Sequence, residues 1–228
     1  MTTSPEPDHL GHRARLRRKF LKAGAAALHD YELLELLLFH AVPRKDTKPL
    51  AKALLTRFGG IAGVLDATPD ELRAVKGLSD TSIALIGLVR ELGTARLAEK
   101  MTGGAALSSP QAVVAFARSA LAGRRHEAFL AVFLNAKNKV LGHQVIHEGT
   151  VDHAVVYPRR VIEQALARRA AGLILVHNHP SGDTAPSEDD KRLTARIGEA
   201  ARHIDIRVLD HIIVGGGGYF SFAEQRLL

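Results

Sequence analysis

Four consecutive aliphatic residues, Leu173-Ile174-Leu175-Val176, run without a polar break into His177-Asn178-His179-Pro180. A short, continuously apolar run bounded by turn residues reads as a buried strand. Side chains alternate across a strand, so the spacing puts His177 and His179 on one face with their imidazoles close together. Asp190 lies eleven residues beyond His179, past a turn rich in Pro, Ser and Gly. There the pattern predicts a helix, with Leu193, Ile197 and Ala200 or Ala201 as its apolar stripe. Two imidazoles and one carboxylate, with no fourth protein ligand in view, match a catalytic zinc site that keeps a position open for water. The same three groups also accept iron, cobalt or nickel. Ser187-x-x-Asp190 reads in addition as an N-cap with an acid at N3. The two readings are compatible, because an acid in the first turn can face back toward the histidines.

The rest of the chain divides into an all-helical stretch and a region where strands alternate with helices. Residues 1–10 read as a disordered N-terminus. Residues 11–100 read as helical, with a basic segment to about Leu28, a leucine-rich helix Tyr31–Phe39 capped by Asp30, and another from about Lys48 to Phe58 ended by Gly59-Gly60. Thr68-Pro69-Asp70-Glu71 combines an N-cap, Pro at N1 and Glu at N3, a helix start. Gly77 then breaks the chain before a helix over roughly 80–98. Residues 101–106, small and poor in large apolar groups, read as a linker. In 107–228 a helix from Ser109-Pro110 precedes strands at 128–134, 140–147, 173–178 and 207–214, with helices between and a short strand near Tyr219. That alternation predicts an α/β domain.

Composition narrows the function classes. The chain has 228 residues and no cysteine, which removes disulfides, thiolate ligands and cysteine nucleophiles together. No apolar run approaches the length of a membrane span and the polar start is no signal peptide, so a cytoplasmic protein without a membrane partner is expected. The net charge of +7 favours polyanions in a general way. It is not polarised: residues 1–104 hold 16 Lys/Arg against 12 Asp/Glu, and 105–228 hold 15 against 12. Its local concentration is Arg13, Arg15, Arg17, Arg18, Lys19 and Lys22, a candidate phosphate-contacting run or a solvated helix face.

His177-x-His179, seven residues, Ser187, two residues, Asp190 resembles the zinc motif of JAMM (MPN+) metalloproteases. The fuller HNHPSGDTAPSEDD, followed by Leu209-Asp210-His211-Ile212-Ile213-Val214, resembles the bacterial RadC family, long labelled as DNA repair proteins. The resemblance is strong over 107–228 and looser before it. It implies a JAMM-like three-layer fold around a curved mixed sheet, preceded by a small all-α domain similar to a helix-hairpin-helix, and one Zn2+ per chain held by His177, His179 and Asp190. In the hairpin-like stretch Ser79-Asp80 stands where a DNA-reading turn has a glycine and a donor, which weakens a DNA-binding reading.

A general base is also required. Glu127 and Glu148, both at strand ends, are the candidates; the resemblance selects Glu127, upstream of the histidines and next to the apolar run 128–134. It also assigns Ser187 to the developing oxyanion. Asp210-His211 reads either as support for a ligand or as a structural core pair, and neither is placed in the catalytic set. The function expected is zinc-dependent hydrolysis of a peptide or isopeptide bond in an unidentified protein or peptide substrate. The competing expectation is a DNA-associated accessory protein of repair or recombination, its metal site structural or non-peptidase, that binds nucleic acid weakly through Arg13, Arg15, Arg17 and Arg18.

Overall fold

The computed structural model describes residues 8–102, 110–149, 156–216 and 218–228. Contacts divide the chain into two compact units, 1–92 and 93–228.

The first unit is helical. It comprises α1 (Asp8–Ala23), a 3-10 turn at Ala25–Ala27, α2 (Asp30–Leu38), α3 (Lys48–Phe58), α4 (Ile61–Asp66), α5 (Pro69–Arg73) and the first half of α6 (Asp80–Thr102). α3 stops where Gly59 adopts φ 76, a left-handed conformation that costs glycine little. α2 starts at Asp30 itself, with His29 rather than Asp30 as the cap. α5 starts on the expected capping box, Thr68 with Glu71. Leu38, Ala51, Leu54, Val64 and Ile86 are fully buried in one cluster. α1 begins at Asp8, so 8–10 belong to a helix; the rest of the expected disordered terminus lies outside the described residues. α4 was not expected, because six residues with Gly63 inside carry too little periodicity to register.

In the second unit, α6 continues through Thr102, and Met101 is buried in a core cluster with Leu97 and Ala98 against it. Residues 103–106 of the expected linker lie outside the described residues. After α7 (Pro110–Leu121) come β1 (Ala128–Leu134), β2 (Val140–Glu148), α8 (Pro158–Ala167), β3 (Gly172–Asn178), α9 (Glu188–Arg202), β4 (Arg207–Gly215) and β5 (Gly218–Ser221). The strands form one sheet in the order β2-β1-β3-β4-β5, with β3 and β4 parallel and the other pairs antiparallel. Every residue of β1 and β3 is buried. Alternate residues serve two cores: Leu130, Val132, Ile174 and Val176 pack with α7, while Phe129, Ala131, Leu173 and Leu175 pack with Val161 of α8 and Ile197 of α9. The unit is therefore a mixed sheet between two helical layers, the three-layer α/β class expected, and it follows the all-α region in the chain.

Two features at one end of the sheet matter for the site. From Ile174 onward β3 keeps parallel register with β4 to its own last residue, pairing His177 with Ile213 and Asn178 with Val214. The turn after His179 then folds onto the glycines ending β4. A Cβ on Gly216 would sit 2.6 Å from the Gly182 carbonyl oxygen, and one on Gly215 would sit 3.0 Å from it. Among the described residues no helix is long and apolar enough to cross a membrane.

Candidate metal centre

His177 and His179 leave β3 on one face, as period-two alternation requires. Their Nε2 atoms are 2.9 Å apart. Asp190 reaches them from the first turn of α9, its Oδ1 3.2 Å from His177 Nε2 and its Oδ2 3.6 Å from His179 Nε2. Ser187 holds Asp190 in place. The Ser187 N–H donates to Asp190 Oδ2 at 2.8 Å, its hydroxyl to the same oxygen at 2.6 Å, and the Asp190 N–H returns to Ser187 Oγ at 3.1 Å.

The outer partners of the two rings fix their tautomers. Thr194 Oγ1 lies 2.6 Å from the Asp190 carbonyl, which can only accept. A hydroxyl has one proton, so Thr194 must accept from His211 Nδ1, also at 2.6 Å. Burial, reinforced by the nearby His177, holds the His211 pKa well below its ordinary value. His211 is thus neutral and its Nε2 is a lone pair, which accepts from His177 Nδ1 at 2.9 Å. In the neutral tautomer that this bond selects, His177 Nε2 is a lone pair as well. On the other ring, Nδ1 donates to the Asp183 carbonyl at 2.7 Å, leaving His179 Nε2 equally bare.

With both rings neutral, two ring lone pairs and a carboxylate converge with no donor between them. Only a cation, proton or metal, relieves that arrangement. Hydrogen bonding to Asp190 raises the His179 pKa against the opposing effect of burial, with the Asp183 carbonyl and the charges of Asp190 and Glu127 adding to it. Burial alone would raise the Asp190 pKa, but hydrogen bonds from His177 and His179 hold it far below the usual carboxylate range. Both shifts describe a proton standing where a metal would. Tetrahedral zinc with ligands at about 2.0–2.1 Å separates its donor atoms by about 3.3 Å, and the three separations here bracket that value. His177, His179 and Asp190 could hold a metal ion, their ligand atoms all lying within 4.8 Å of one another.

Glu127 sits at the mouth of β1, one residue before the strand, and is exposed. Its charge acts on His179. Asn178, the residue between the two histidines, grips the backbone on either side of it: Asn178 Oδ1 accepts from the Ala128 N–H at 2.8 Å and Nδ2 donates to the His126 carbonyl at 3.2 Å. Glu148 is occupied elsewhere, paired with Arg124 at 2.5 Å. Asp210 and His211 prove to have separate roles. Asp210 accepts from Ser221 Oγ (2.7 Å) and the Ala223 N–H (3.0 Å), tying down the C-terminal turn, whereas His211 stacks on Phe222 and supports His177. Sequence reasoning had weighed His211 and left it out; it missed Asn178 and Thr194. The only signals were a polar residue inside an apolar strand and a threonine one turn after Asp190.

This arrangement places the second unit among the JAB-type domains. The family described as the RadC-like JAB domain matches residues 107–227, and the UPF0758 N-terminal family matches residues 8–84. A UPF0758 protein from Stutzerimonas stutzeri (strain A1501) is 46% identical over 210 residues, covering 92% of this chain and 94% of that protein. The chain belongs to the RadC (UPF0758) family.

Proposed function

We propose that the chain is a zinc-dependent hydrolase of peptide or isopeptide bonds, acting in the cytoplasm on a protein or peptide. The observation that carries this reading is the convergence of three acceptors, two of them lone pairs fixed by outer partners, at the open end of a sheet. Bound zinc supplies Lewis acidity and lowers the pKa of a coordinated water to about 7. Glu127, held at the strand mouth by Asn178, takes a proton from the attacking water and returns it to the leaving amine. Ser187 turns its hydroxyl from Asp190 Oδ2 to the oxyanion that forms on the substrate carbonyl. His211 and Thr194 keep His177 in the tautomer that leaves Nε2 bare.

The alternative, a DNA-associated accessory protein, finds less support. Ser79 Oγ accepts from the Ser82 N–H at 3.3 Å, capping α6, and Asp80 pairs with Arg73 at 3.5 Å. Arg13 is spent on the carbonyls of Phe39, Val42 and Lys45.

The test is Glu127→Gln, assayed for metal content by mass spectrometry and for turnover against peptide and lysine-isopeptide libraries. Full metal content with turnover abolished is expected. Turnover equal to wild type rejects Glu127 as the base, and a wild type that takes up no zinc at neutral pH rejects the hydrolase.

A further inference from the structure

His211, which accepts from the metal ligand His177, is fully buried and carries one hydrogen bond at each ring nitrogen. Two bonds at opposite corners of a ring leave its tilt to whatever packs on its faces. Phe222 covers one face, stacked at 4.8 Å and 21°, and Phe129 meets the ring edge-on at 5.6 Å. Phe129 belongs to β1 and is fixed by the sheet. Phe222 lies one residue beyond β5, where the ladder ends, and only its own N–H continues the pairing, donating to the His211 carbonyl at 2.9 Å.

What holds Phe222 in place is a buried acid. Asp210, 5% exposed, precedes His211 in β4 and so points to the opposite face of the sheet. Its carboxylate accepts from Ser221 Oγ at 2.7 Å and from the Ala223 N–H at 3.0 Å, the two residues that flank Phe222. Ser221 Oγ in turn accepts from the Glu224 N–H at 3.1 Å, and the Leu227 N–H closes the turn on the Phe222 carbonyl at 2.8 Å. Burial raises the Asp210 pKa against the opposing effect of those bonds, so the carboxylate sits there at an energetic cost. The turn it secures brings no further side chain into a core, because residues 223–228 are all exposed. What the buried acid achieves is the placement of one ring, and that ring lies on His211.

We propose that the turn over 221–227 is part of the metal centre, with Phe222, gripped by Asp210 on both sides, as a positioning residue that sets the tilt at which His211 accepts from His177. The inference rests on the metal-binding reading and extends it to a segment that contains no ligand. Two adjacent residues of β4 act on one ligand from opposite faces of the sheet, His211 directly and Asp210 through Phe222. With the tilt lost, both bonds to the His211 ring weaken, and the preference for its Nδ1–H tautomer goes with them. His177 Nδ1 then loses the acceptor that keeps its Nε2 bare.

The test is long-range proton–nitrogen NMR of the imidazoles in the full chain without metal, on wild type, Phe222→Leu and Asp210→Asn. Val113→Ala, a fully buried change in the core on the other face of the sheet, is the control. Wild type should show His211 as a single Nδ1–H tautomer, and Phe222→Leu should average its two nitrogens. Asp210→Asn should do so less completely, because Asn keeps an acceptor for the Ala223 N–H. Val113→Ala should lower the melting temperature and leave the His211 nitrogens as in wild type. Zinc affinity, measured with a competing chelator, should fall about tenfold in Phe222→Leu, the lower end for outer partners, and stay unchanged in the control. If Phe222→Leu does not fold, the nearly isosteric Asp210→Asn carries both readouts. Unaltered His211 nitrogens in the variants, or equal losses of affinity in Phe222→Leu and the control, would overturn the proposal. A wild type that takes up no zinc rejects the metal reading itself, whereas the metal-free spectra sustain or reject Phe222 as the residue that orients His211.

Discussion

Two helices of this chain start with nearly the same device. At α5 the Thr68 N–H and hydroxyl both donate to Glu71 Oε2 at 2.8 Å, and the Glu71 N–H donates to Thr68 Oγ1 at 3.3 Å. At α9 Ser187 and Asp190 repeat those three bonds at 2.8, 2.6 and 3.1 Å. One is a helix cap and nothing more is needed to account for it. The other aims a carboxylate at two imidazoles. The difference lies in what stands opposite: a strand end delivering His177 and His179 faces α9. A local motif states how a helix begins; its neighbours decide whether it does chemistry.

That contrast can be broken most severely at Asp190. Asp190→Asn preserves the size of the N3 side chain but removes its charge, and zinc affinity measured with a competing chelator should fall by more than about 100-fold, beyond the range for outer partners. If affinity is unchanged, the α9 box is only a cap. His211→Phe comes next. It fills the space between Phe129 and Phe222 but leaves His177 Nδ1 without an acceptor, so affinity should drop by about 10–100-fold while the far-UV spectrum is retained. An unaffected affinity would make His211 a packing residue.

A smaller effect follows from the raised His179 pKa. A metal must displace that proton, so affinity should decline by up to about tenfold per pH unit as pH falls through the raised value, which lies above 6.5. In metal-free protein the protonated His179 paired with Asp190 contributes stability that is present below pH 6.5 and lost as pH rises through the raised pKa. Metal-free and zinc-loaded protein should therefore show opposite trends of melting temperature with pH across this window. Parallel trends would remove the imidazole–carboxylate competition from the account. The smallest effect is at the other box: Thr68→Ala should cost about 0.5–2 kcal/mol in chemical denaturation and leave zinc affinity unchanged. A change in affinity there would erase the distinction.

The parts of the site legible in the sequence are those set by local periodicity. Alternation put His177 and His179 together, and the spacing of Ser187 and Asp190 matched a helix start. The rest depends on register, which residue types do not encode. His211 meets His177 because β3 and β4 run parallel with Leu175 opposite His211, placing the two rings diagonally on one face. Asn178 clips the entry to β1 only because β1 pairs antiparallel with β3. Between Glu127 and Glu148 the residues alone left the choice open; the Arg124–Glu148 pair narrows it by occupying one acid.

The glycines closing β4 extend the site further than its ligands suggest. With the Gly182 carbonyl packed on Gly216, a single methyl group at position 216 would lift the turn whose Asp183 carbonyl orients His179. The instruction for coordinating an ion is therefore spread from Glu127 to Gly216, and part of it is written as an absence of side chain. A designer transplanting only the three ligands and their cap onto another sheet would carry over the donor atoms and lose the surface that keeps them aimed.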